Sequence, residues 1–331
     1  MEYTQFGRTL LQVSKISYGT WQFGGDWGHV EREQWDAGKT TVRKALELGI
    51  NFFDTAQAYG FGLAERLLGE ALQPELRSQR DKIILATKGG LRMEGSTLLR
   101  DASARWLRQG VEQSLRNLGV DYIDLYQVHW PDPNTPIEET ASALDALVKA
   151  GKIRYVGVSN YNAEQMRAFE RTRRLDALQP PYSLFRRDIE REILPCCEAA
   201  GIGVLVYGPL AHGLLGGSFT PQTTFAPDDW RSKSEFFHGE NFQRNVAVVE
   251  QLKRLAAREG MTIAQLAVAW VLAGGKPQPA IDVAIVGARN PGQLEQTALA
   301  GDRHLTQETL QEIERIMREA VPIGGPAPEG M

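Results

Sequence analysis

The sequence predicts an α/β fold, a (β/α)8 barrel, from a repeated helix–glycine–strand unit and from eight short apolar strands that alternate with helices. Four of the predicted helix-to-strand junctions fall at Gly49, Gly119, Gly151 and Gly201. Glycine suits this position because it enters the left-handed backbone region at no steric cost. Alternation along 331 residues without an internal linker favours one closed barrel domain, residues 1–331, over an open doubly wound sheet.

The predicted strands are nearly continuous apolar runs, which is typical of parallel strands covered on both faces. They span residues 16–18, 52–54, 83–88, 123–129, 155–159, 177–179, 204–207 and 283–286. The helices between them each carry one apolar stripe. In the helix near residue 137, Pro136 stands at the first position, and Thr135 with Glu138 fits a capping box.

Four segments lie outside a minimal barrel. The leading YTQFGRTLLQVSKI predicts a β-hairpin that turns at Gly7-Arg8 and plugs the N-terminal end of the barrel. Residues 209–243 form a long loop rich in Gly, Pro and Asp. Residues 306–320 predict an extra C-terminal helix, and the Gly/Pro-rich tail at 321–331 is expected to be mobile.

Composition excludes several classes of protein. Apolar residues make up 42%, charged residues 24% and the net charge is −4, so we expect neither a nucleic-acid nor an anionic membrane surface. The two cysteines, Cys196 and Cys197, are adjacent, which is poor geometry for a disulfide and indicates a reducing cytoplasm. The N-terminus lacks a signal-peptide pattern, and no apolar run reaches the ~18 residues of a membrane span. We expect a cytoplasmic monomer.

Barrel enzymes assemble their sites at the C-terminal ends of the strands. There the sequence places an acid, a phenol, an amine and an imidazole: Asp54, Tyr59, Lys88 and His129. Trp21, Trp130, Ser159, Asn160, Gln179, Tyr207, Gly287, Ala288 and Arg289 stand at the other strand ends.

The four groups make chemical sense as a proton donor. A free tyrosine has a pKa near ~10, too high for an efficient acid at neutral pH. An ammonium close to Tyr59 stabilises the phenolate and lowers that pKa, and Asp54 keeps Lys88 charged. The set is thus an acid aimed at a carbonyl oxygen, where negative charge develops.

In these residues the chain resembles the aldo-keto reductase superfamily. FFDTAQAYG with the Lys88 and His129 strand ends is similar to its catalytic tetrad, and GVSN, LQPPYSLF and YGPLAHGLL resemble its cofactor segments. GTWQFGG, HWPDPNTPIEET and IVGARNPGQLEQ look most like the bacterial members grouped with general-stress and inositol-utilisation reductases.

The resemblance implies an NADPH-dependent reductase of aldehydes or ketones. Tyr59 is then the general acid, Lys88 and Asp54 activate it, and His129 orients the carbonyl. Trp21 and Trp130 wall the substrate pocket, and Arg289 favours NADPH because a guanidinium binds a phosphate better than a hydroxyl does. The implied cofactor-binding residues are Thr20, Trp21, Asp54, Ser159, Asn160, Gln179, Tyr207, Gly208, Pro209, Leu210, Ala211, Gly213, Gly287, Ala288, Arg289, Gln293 and Gln296.

Within that set, Ser159, Asn160 and Gln179 are implied to bond the nicotinamide carboxamide, and Tyr207 to stack on the ring. The loop from Gly208 is implied to follow the pyrophosphate, and the segment from Gly287 to take the adenosine 2′-phosphate end. The chain departs from the family pattern at Gly208, where serine is frequent, and at Gln296-Thr297, where Glu-Asn is frequent.

Simpler interpretations remain open for several residues. Asp54 and Lys88 alone fit a structural ion pair, and Trp21 and Trp130 fit core aromatics that close the rim. Arg289 fits a solvated surface charge. In the long loop, Arg231 and Lys233 fit either a pyrophosphate clamp or a solvated face.

Two further motifs have weaker alternatives. GFGLAE mimics a phosphate loop but has Glu65 where a third glycine belongs. A metal site is not expected, because no second histidine stands at another predicted strand end.

Two other functions compete with carbonyl reduction. One makes Lys88 a Schiff-base nucleophile, but Asp54 would raise the lysine pKa that this role needs lowered. The other is a nicotinamide-binding regulatory subunit that turns over slowly and serves as a redox sensor. Together with Trp21 and Trp130, the aromatic residues Phe23 and Trp27 suggest an apolar or aromatic aldehyde or ketone, while sugar-related and keto-acid substrates stay open as alternatives.

Overall fold

The computed structural model describes residues 1–24, 32–95, 97–227, 229–274 and 281–323. The strands in these ranges are β1 (Tyr3–Gln5), β2 (Gln12–Ser14), β3 (Ile16–Gly19), β4 (Phe52–Asp54), β5 (Ile84–Gly89), β6 (Leu91–Glu94), β7 (Thr97–Arg100), β8 (Ile123–Val128), β9 (Ile153–Ser159), β10 (Ala177–Gln179), β11 (Gly203–Val206) and β12 (Val283–Gly287). The α-helices are α1 (Arg32–Glu47), α2 (Leu63–Ser78), α3 (Ala104–Leu118), α4 (Ile137–Lys149), α5 (Ala163–Glu170), α6 (Ile193–Ala200), α7 (Gly239–Arg258), α8 (Ile263–Leu272), α9 (Pro291–Ala298) and α10 (Gln307–Met317).

Eight strands close into a parallel barrel in the order β3, β4, β5, β8, β9, β10, β11, β12 and back to β3. The predicted (β/α)8 TIM barrel is confirmed, and each predicted strand ends within two residues of an observed one. The main core lies between this barrel and the surrounding helices, and a smaller apolar cluster fills the barrel interior. All eight carboxyl ends therefore face one rim.

The helix-to-strand junctions follow the glycine pattern. The four predicted glycines have φ of 81°, 67°, 72° and 64° in chain order. The predicted capping box before α4 is wrong, since Pro136 occupies the cap and no side chain caps the helix. The Thr135 hydroxyl instead donates to Asp132 Oδ2 over 2.6 Å, because that carboxylate is the stronger acceptor within its reach.

The N-terminal hairpin plugs the barrel as predicted. Strands β1 and β2 pair antiparallel, and Phe6 in the turn between them is fully buried in the interior cluster. Its ring meets Phe52 edge-on, with centroids 5.7 Å apart. Phe6 also packs on Gly203, the first residue of β11, so the hairpin closes the end of the barrel opposite the rim.

A second hairpin, β6–β7, is inserted between β5 and α3 and was not predicted from the sequence. It pairs Leu91 with Arg100 antiparallel, and its two ends meet where Asp101 N donates to Gly90 O over 2.9 Å. Only Leu91 of its strands is buried, so the run LRMEGSTLLR lacks the continuous apolar character of the barrel strands. The hairpin forms part of the rim.

The segment after β11, which was predicted as a long loop, contains short helical turns and the start of a helix. Short 3₁₀ turns cover Ala211–Gly216, Trp230–Lys233 and Glu235–Phe237, and α7 begins at Gly239, inside the stretch predicted as loop. Rings from this segment and α7 pack on one another; Phe219 meets Phe225 at 5.3 Å, and Phe225 meets Phe237 at 5.5 Å. This aromatic cluster is continuous with the main core, so the segment is packed onto the rest of the protein.

The predicted extra C-terminal helix is α10, capped by the side chain of Thr306. Beyond it, Val321 N donates to Asn245 Oδ1 over 2.8 Å and Ile323 N donates to Phe185 O over 2.7 Å. The predicted mobile tail thus begins with anchored residues, and 324–331 lie outside the described residues.

Within the described ranges, no single helix has both the length and the apolar character to cross a membrane. Helices α7 and α8 meet the criteria of length and composition only when taken together, and they are bent by 86° relative to each other.

Candidate active site

A buried ion pair lies at the centre of the rim. Asp54 ends β4 and Lys88 lies near the end of the neighbouring strand β5, and the two side chains are 4% and 1% exposed. Lys88 Nζ donates to Asp54 Oδ1 over 2.7 Å and to Thr55 O over 2.9 Å. The Asp54 carboxylate, at the end of an apolar strand, therefore has the charged partner that a buried charge requires.

Tyr59 lies next to Lys88 and is the third group of the site. Its hydroxyl lies 3.4 Å from Lys88 Nζ, and the ammonium is 5.0 Å from the centroid of its ring. The residue opens the 3₁₀ turn Tyr59–Gly62 that leads into α2. Lys88 thus bridges a carboxylate and a phenol, the arrangement that stabilises a phenolate after proton donation.

His129 borders the same space from the end of β8. Its backbone N–H donates to Gly89 O over 2.9 Å, and its ring meets Tyr59 edge-on with centroids 5.7 Å apart. Burial, and then the positive charge of Lys88, hold the pKa of His129 well below its ordinary value. The imidazole is therefore neutral at physiological pH and keeps one N–H to donate. The structure brings the four predicted catalytic residues together.

Four predicted carboxamide and ring contacts lie next to this tetrad. Tyr207 OH donates to Asn160 Oδ1 over 2.8 Å, and Asn160 Nδ2 donates to His129 O over 3.1 Å. Ser159 Oγ donates to Gln179 O over 2.8 Å. Asn160 has a left-handed backbone with φ of 63°, which turns its side chain into this network. The set is already connected by hydrogen bonds.

The loop after β11 is rich in left-handed backbone. Gly208, Ala211, His212 and Gly213 have φ of 68°, 47°, 56° and 97°. Pro209 is buried and Leu210 partly so. Successive N–H groups in such conformations form anion-binding concavities. The loop therefore has a backbone that suits a phosphate.

Two arginines act on His212 in this loop, and one of them, Arg231, is paired with Asp229. Burial, then the charges of Arg186 and Arg231, lower the pKa of His212 to about 4. Arg231 Nη1 donates to His212 O over 3.1 Å, and its other nitrogens hold Asp229. Arg231 thus lies at the loop and not on a remote face, which favours the first of the two interpretations left open for it.

The predicted nucleotide end lies at the start of α9. Arg289 and Gly287 are exposed, while Ala288 is buried. Arg289 N donates to Gln293 Oε1 over 2.9 Å. The backbone carbonyl of Gln296 accepts from Gln265 over 2.9 Å and its side chain is exposed. Arg289 therefore lies just before the N-terminus of α9, a favourable place for a phosphate.

The two residues predicted to wall the substrate pocket, Trp21 and Trp130, differ in burial, and the preceding Thr20 was predicted as a cofactor contact. Thr20 is fully buried and its N–H donates to Asp54 O over 3.0 Å. Trp21 is 51% exposed, whereas Trp130 is 8% exposed and packs on Leu91. The guanidinium of Arg100 lies 5.0 Å from the centroid of Trp130. Phe23 is buried in the main core, and Trp27 lies outside the described residues.

Sequence reasoning missed two parts of the site. Gln127 on β8 is fully buried, and its Oε1 lies 3.3 Å from Gln179 Nε2. Gln127 could have been noticed in the sequence, because it is a polar residue inside an otherwise apolar strand. Leu91 and Leu98 of the β6–β7 hairpin contribute to the Trp130 wall. The sequence alone did not indicate these two leucines, because the hairpin that carries them was not predicted. In the described part of the chain, no cluster of His, Cys, Asp and Glu could hold a metal ion.

A closed parallel barrel that carries this tetrad at its rim is typical of one family of oxidoreductases. The chain belongs to the aldo/keto reductase family, whose model matches residues 15–318. Members of the family use nicotinamide cofactors and act on small-molecule carbonyl substrates.

Known proteins match nearly the whole chain. Aldo-keto reductase YhdN of Bacillus subtilis is 42% identical, over 98% of this chain and 96% of its own. The NADH-specific methylglyoxal reductase of Escherichia coli is 35% identical, over 95% of this chain and 100% of its own. The structure of the glycerol dehydrogenase AKR11B4 from Gluconobacter oxydans has a TM-score of 0.89, 38% identity and covers 98% of both chains.

Proposed function

We propose that this protein is an NADPH-dependent carbonyl reductase in which Tyr59 protonates the carbonyl oxygen of an aldehyde or ketone. One observation carries the proposal: Lys88 Nζ lies 2.7 Å from Asp54 Oδ1 and 3.4 Å from Tyr59 OH, in a buried site. An ammonium held beside a phenol stabilises the phenolate, which makes the phenol a better proton donor for a carbonyl oxygen.

The residues present fit a nicotinamide cofactor. Gln179, Asn160 and Ser159 offer amide and hydroxyl groups, Tyr207 offers a ring, and the loop from Gly208 offers a concave backbone beside two arginines. When bound, the cofactor supplies the hydride that the carbonyl carbon accepts. The adjacent Arg289 supports NADPH, whereas the name of the E. coli relative records an NADH-specific enzyme. Both cofactors therefore belong in the test.

The protein's own groups have distinct tasks in the reduction. The Tyr59 hydroxyl gives its proton to the carbonyl oxygen, and Lys88 stabilises the phenolate that remains. Neutral His129 donates a hydrogen bond that orients the same oxygen. Asp54 keeps the ammonium in place, since it accepts at 2.7 Å in a site closed to water.

The substrate class is a small aldehyde or ketone. Trp21 and Trp130 offer apolar walls, while the names of two relatives, a methylglyoxal reductase and a glycerol dehydrogenase, point to three-carbon polar compounds. We take the protein to be a monomer of one barrel domain, and the two adjacent cysteines, which are poorly placed for a disulfide, support a reducing cytoplasm.

The test combines turnover and binding. NADPH and NADH are each offered with a panel of methylglyoxal, glyceraldehyde and benzaldehydes and followed at 340 nm; we expect oxidation of NADPH at more than ~1 s⁻¹ for the best substrate and slower oxidation of NADH. Tyr59→Phe should lose 10²-fold or more of kcat, the range of a general acid, with NADPH binding by fluorescence unchanged. Full activity in Tyr59→Phe would overturn the mechanism. Tight NADPH binding with turnover far below ~1 s⁻¹ on every carbonyl would favour the redox-sensing subunit instead.

A further inference from the structure

A buried carboxyl group behind the barrel wall has no part in the chemistry described above. Glu65, the third residue of α2, is fully buried. Its Oε1 accepts from the Thr87 hydroxyl over 2.7 Å, and its Oε2 accepts from Asn117 Nδ2 over 2.8 Å. Burial raises the pKa of Glu65, against hydrogen bonds from Asn117 and Thr87 that lower it. One carboxyl group therefore ties α2 to β5 and to α3.

The first of these contacts lies directly behind the catalytic lysine. Thr87 precedes Lys88 on β5, and successive side chains of a strand point to opposite faces. The Lys88 side chain points to Asp54 and Tyr59 at the rim. The Thr87 side chain therefore points outward to the helices, where its hydroxyl donates to Glu65. The bond from Thr87 to Glu65 thus limits how far this part of β5 shifts relative to α2.

The second contact fixes the turn that presents Tyr59. Gly62 is the N-terminal cap of α2, with φ of 94°, and a Cβ added there would lie 2.3 Å from Asn117 Nδ2. The same amide nitrogen donates to Glu65, while Asn117 Oδ1 accepts from Gln113 Nε2 over 2.9 Å. Asn117 therefore presses on the 3₁₀ turn that runs from Tyr59 to Gly62.

We propose that Glu65 is a positioning residue for the proton donor, because it joins the strand that carries Lys88 to the turn that carries Tyr59. The inference rests on the proposed function for its catalytic consequence. Whether or not the protein reduces carbonyls, Glu65 sets the 3.4 Å separation between the Lys88 ammonium and the Tyr59 hydroxyl. Glu65 itself touches neither substrate nor cofactor and acts only through these two residues.

Two conservative variants test the link at its two ends. In Glu65→Gln the shape is kept and the amide oxygen can still accept from Asn117, but the carboxylate is lost and the NH₂ group forces the Thr87 hydroxyl to change from donor to acceptor. In Thr87→Val the hydroxyl next to Lys88 is replaced by a methyl group. The matched control is Thr140→Val, a fully buried threonine of α4 whose hydroxyl donates to Ala102 O over 3.0 Å, remote from the ion pair. Thermal unfolding of all three reports the shared cost of losing a buried hydrogen bond.

The decisive readout is the ionisation of Tyr59, which does not need turnover. Protein labelled with ¹³C at the tyrosine Cζ is titrated by NMR, and Tyr59→Phe identifies the signal among nine tyrosines. We expect the apparent pKa of Tyr59 to rise in Glu65→Gln and in Thr87→Val, since a more distant ammonium stabilises the phenolate less, and to stay unchanged in Thr140→Val. A Tyr59 titration identical to wild type in Thr87→Val, a variant that keeps Glu65, overturns the proposal.

Activity then separates this inference from the proposed function. With an active wild type, we expect about a 10-fold lower kcat in both variants, an alkaline limb of the pH profile displaced to higher pH, and NADPH affinity within about twofold. An unchanged kcat and pH profile in both variants counts against Glu65 while leaving carbonyl reduction intact. A wild type that reduces no carbonyl overturns the proposed function, and the NMR titration still decides the positioning role.

Discussion

The side-chain amide of Gln179 donates a 2.9 Å hydrogen bond to Asp54 Oδ2, so a residue proposed to hold the cofactor is bonded to the carboxylate that holds Lys88. An ionised carboxylate accepts only, which fixes the amide nitrogen toward Asp54 and toward Gln127 Oε1 at 3.3 Å. Gln179 Oε1 is consequently the group left to accept from a nicotinamide carboxamide.

This geometry predicts that Gln179→Glu weakens both cofactor binding and turnover. A second carboxylate beside Asp54 cannot ionise together with it in a buried site at low cost. We expect at least a 10-fold rise in the Kd for NADPH and a comparable loss of kcat. Fluorescence titration and steady-state kinetics measure the two. Gln311→Glu, an exposed residue of α10, serves as control, and an unchanged Kd in Gln179→Glu would show that the bond to Asp54 does not organise the site.

Removal of one member of the ion pair should cost stability as well as activity. Lys88→Met leaves Asp54 buried without its cation, which typically costs 3–5 kcal/mol, or about that much in the free energy of unfolding here. Adding Asp54→Asn removes the orphaned charge, so the double variant should regain stability but not kcat. Urea denaturation of both variants checks this. A single variant as stable as wild type would contradict the prediction.

Arg289→Ala tests the nucleotide end of the site. Charge-assisted hydrogen bonds are worth about 1.5–3 kcal/mol, so we expect the Kd for NADPH to rise about 10- to 100-fold. The Kd for NADH should change little, because its ribose carries a hydroxyl at that position. Arg303→Ala, an exposed arginine beyond α9, is the control. Equal losses for the two cofactors would mean that Arg289 does not contact the 2′-phosphate.

His212 predicts a loss of stability in acid. Its pKa is about 4 in the folded protein and ordinarily 6.5, so between these values the unfolded chain binds the extra proton. Stability is therefore complete above pH 6.5 and is lost as the pH falls toward 4, by roughly 2 kcal/mol between pH 7 and pH 5. His212→Asn, which tolerates the left-handed backbone, should reduce that slope. Urea denaturation at the two pH values in both proteins decides the matter; equal slopes would refute it.

The barrel plug gives a prediction about stability alone. Phe6→Ala opens a cavity among interior residues such as Phe52 and should lower the free energy of unfolding by about 3–5 kcal/mol. Because Phe6 lies at the end opposite the rim, kcat at 20 °C should stay within about twofold. Leu10→Ala, whose side chain is 84% exposed, should cost less than about 0.5 kcal/mol. A large loss of kcat in folded Phe6→Ala would contradict the separation of the two ends.

The sequence predicts the barrel and its tetrad well for a physical reason. Parallel strands buried on both faces are uniformly apolar, so a charged residue such as Asp54 or Lys88 at a strand end stands out. Junction glycines are equally legible, because few other residues adopt their backbone. The barrel topology then brings neighbouring strand ends together without any further information.

Other features depend on contacts that no local pattern encodes. The β6–β7 hairpin is half exposed, so its strands carry no continuous apolar run. Thr135 fits a capping box locally, but Asp132 competes for its hydroxyl. Glu65 has the appearance of a misplaced residue in a glycine motif, and only the packing of β5 and α3 against α2 gives it partners.

The way in which the β6–β7 hairpin leaves the chain has a consequence for how such an enzyme diversifies. Its two ends are pinned together by the bond from Asp101 N to Gly90 O, so the barrel wall is continuous beneath it. We expect loops of other lengths to be accepted between these two residues without a shift of Lys88. We expect libraries randomised over residues 91–100 to yield altered substrate ranges on an unaltered reaction, a modularity that directed evolution can exploit.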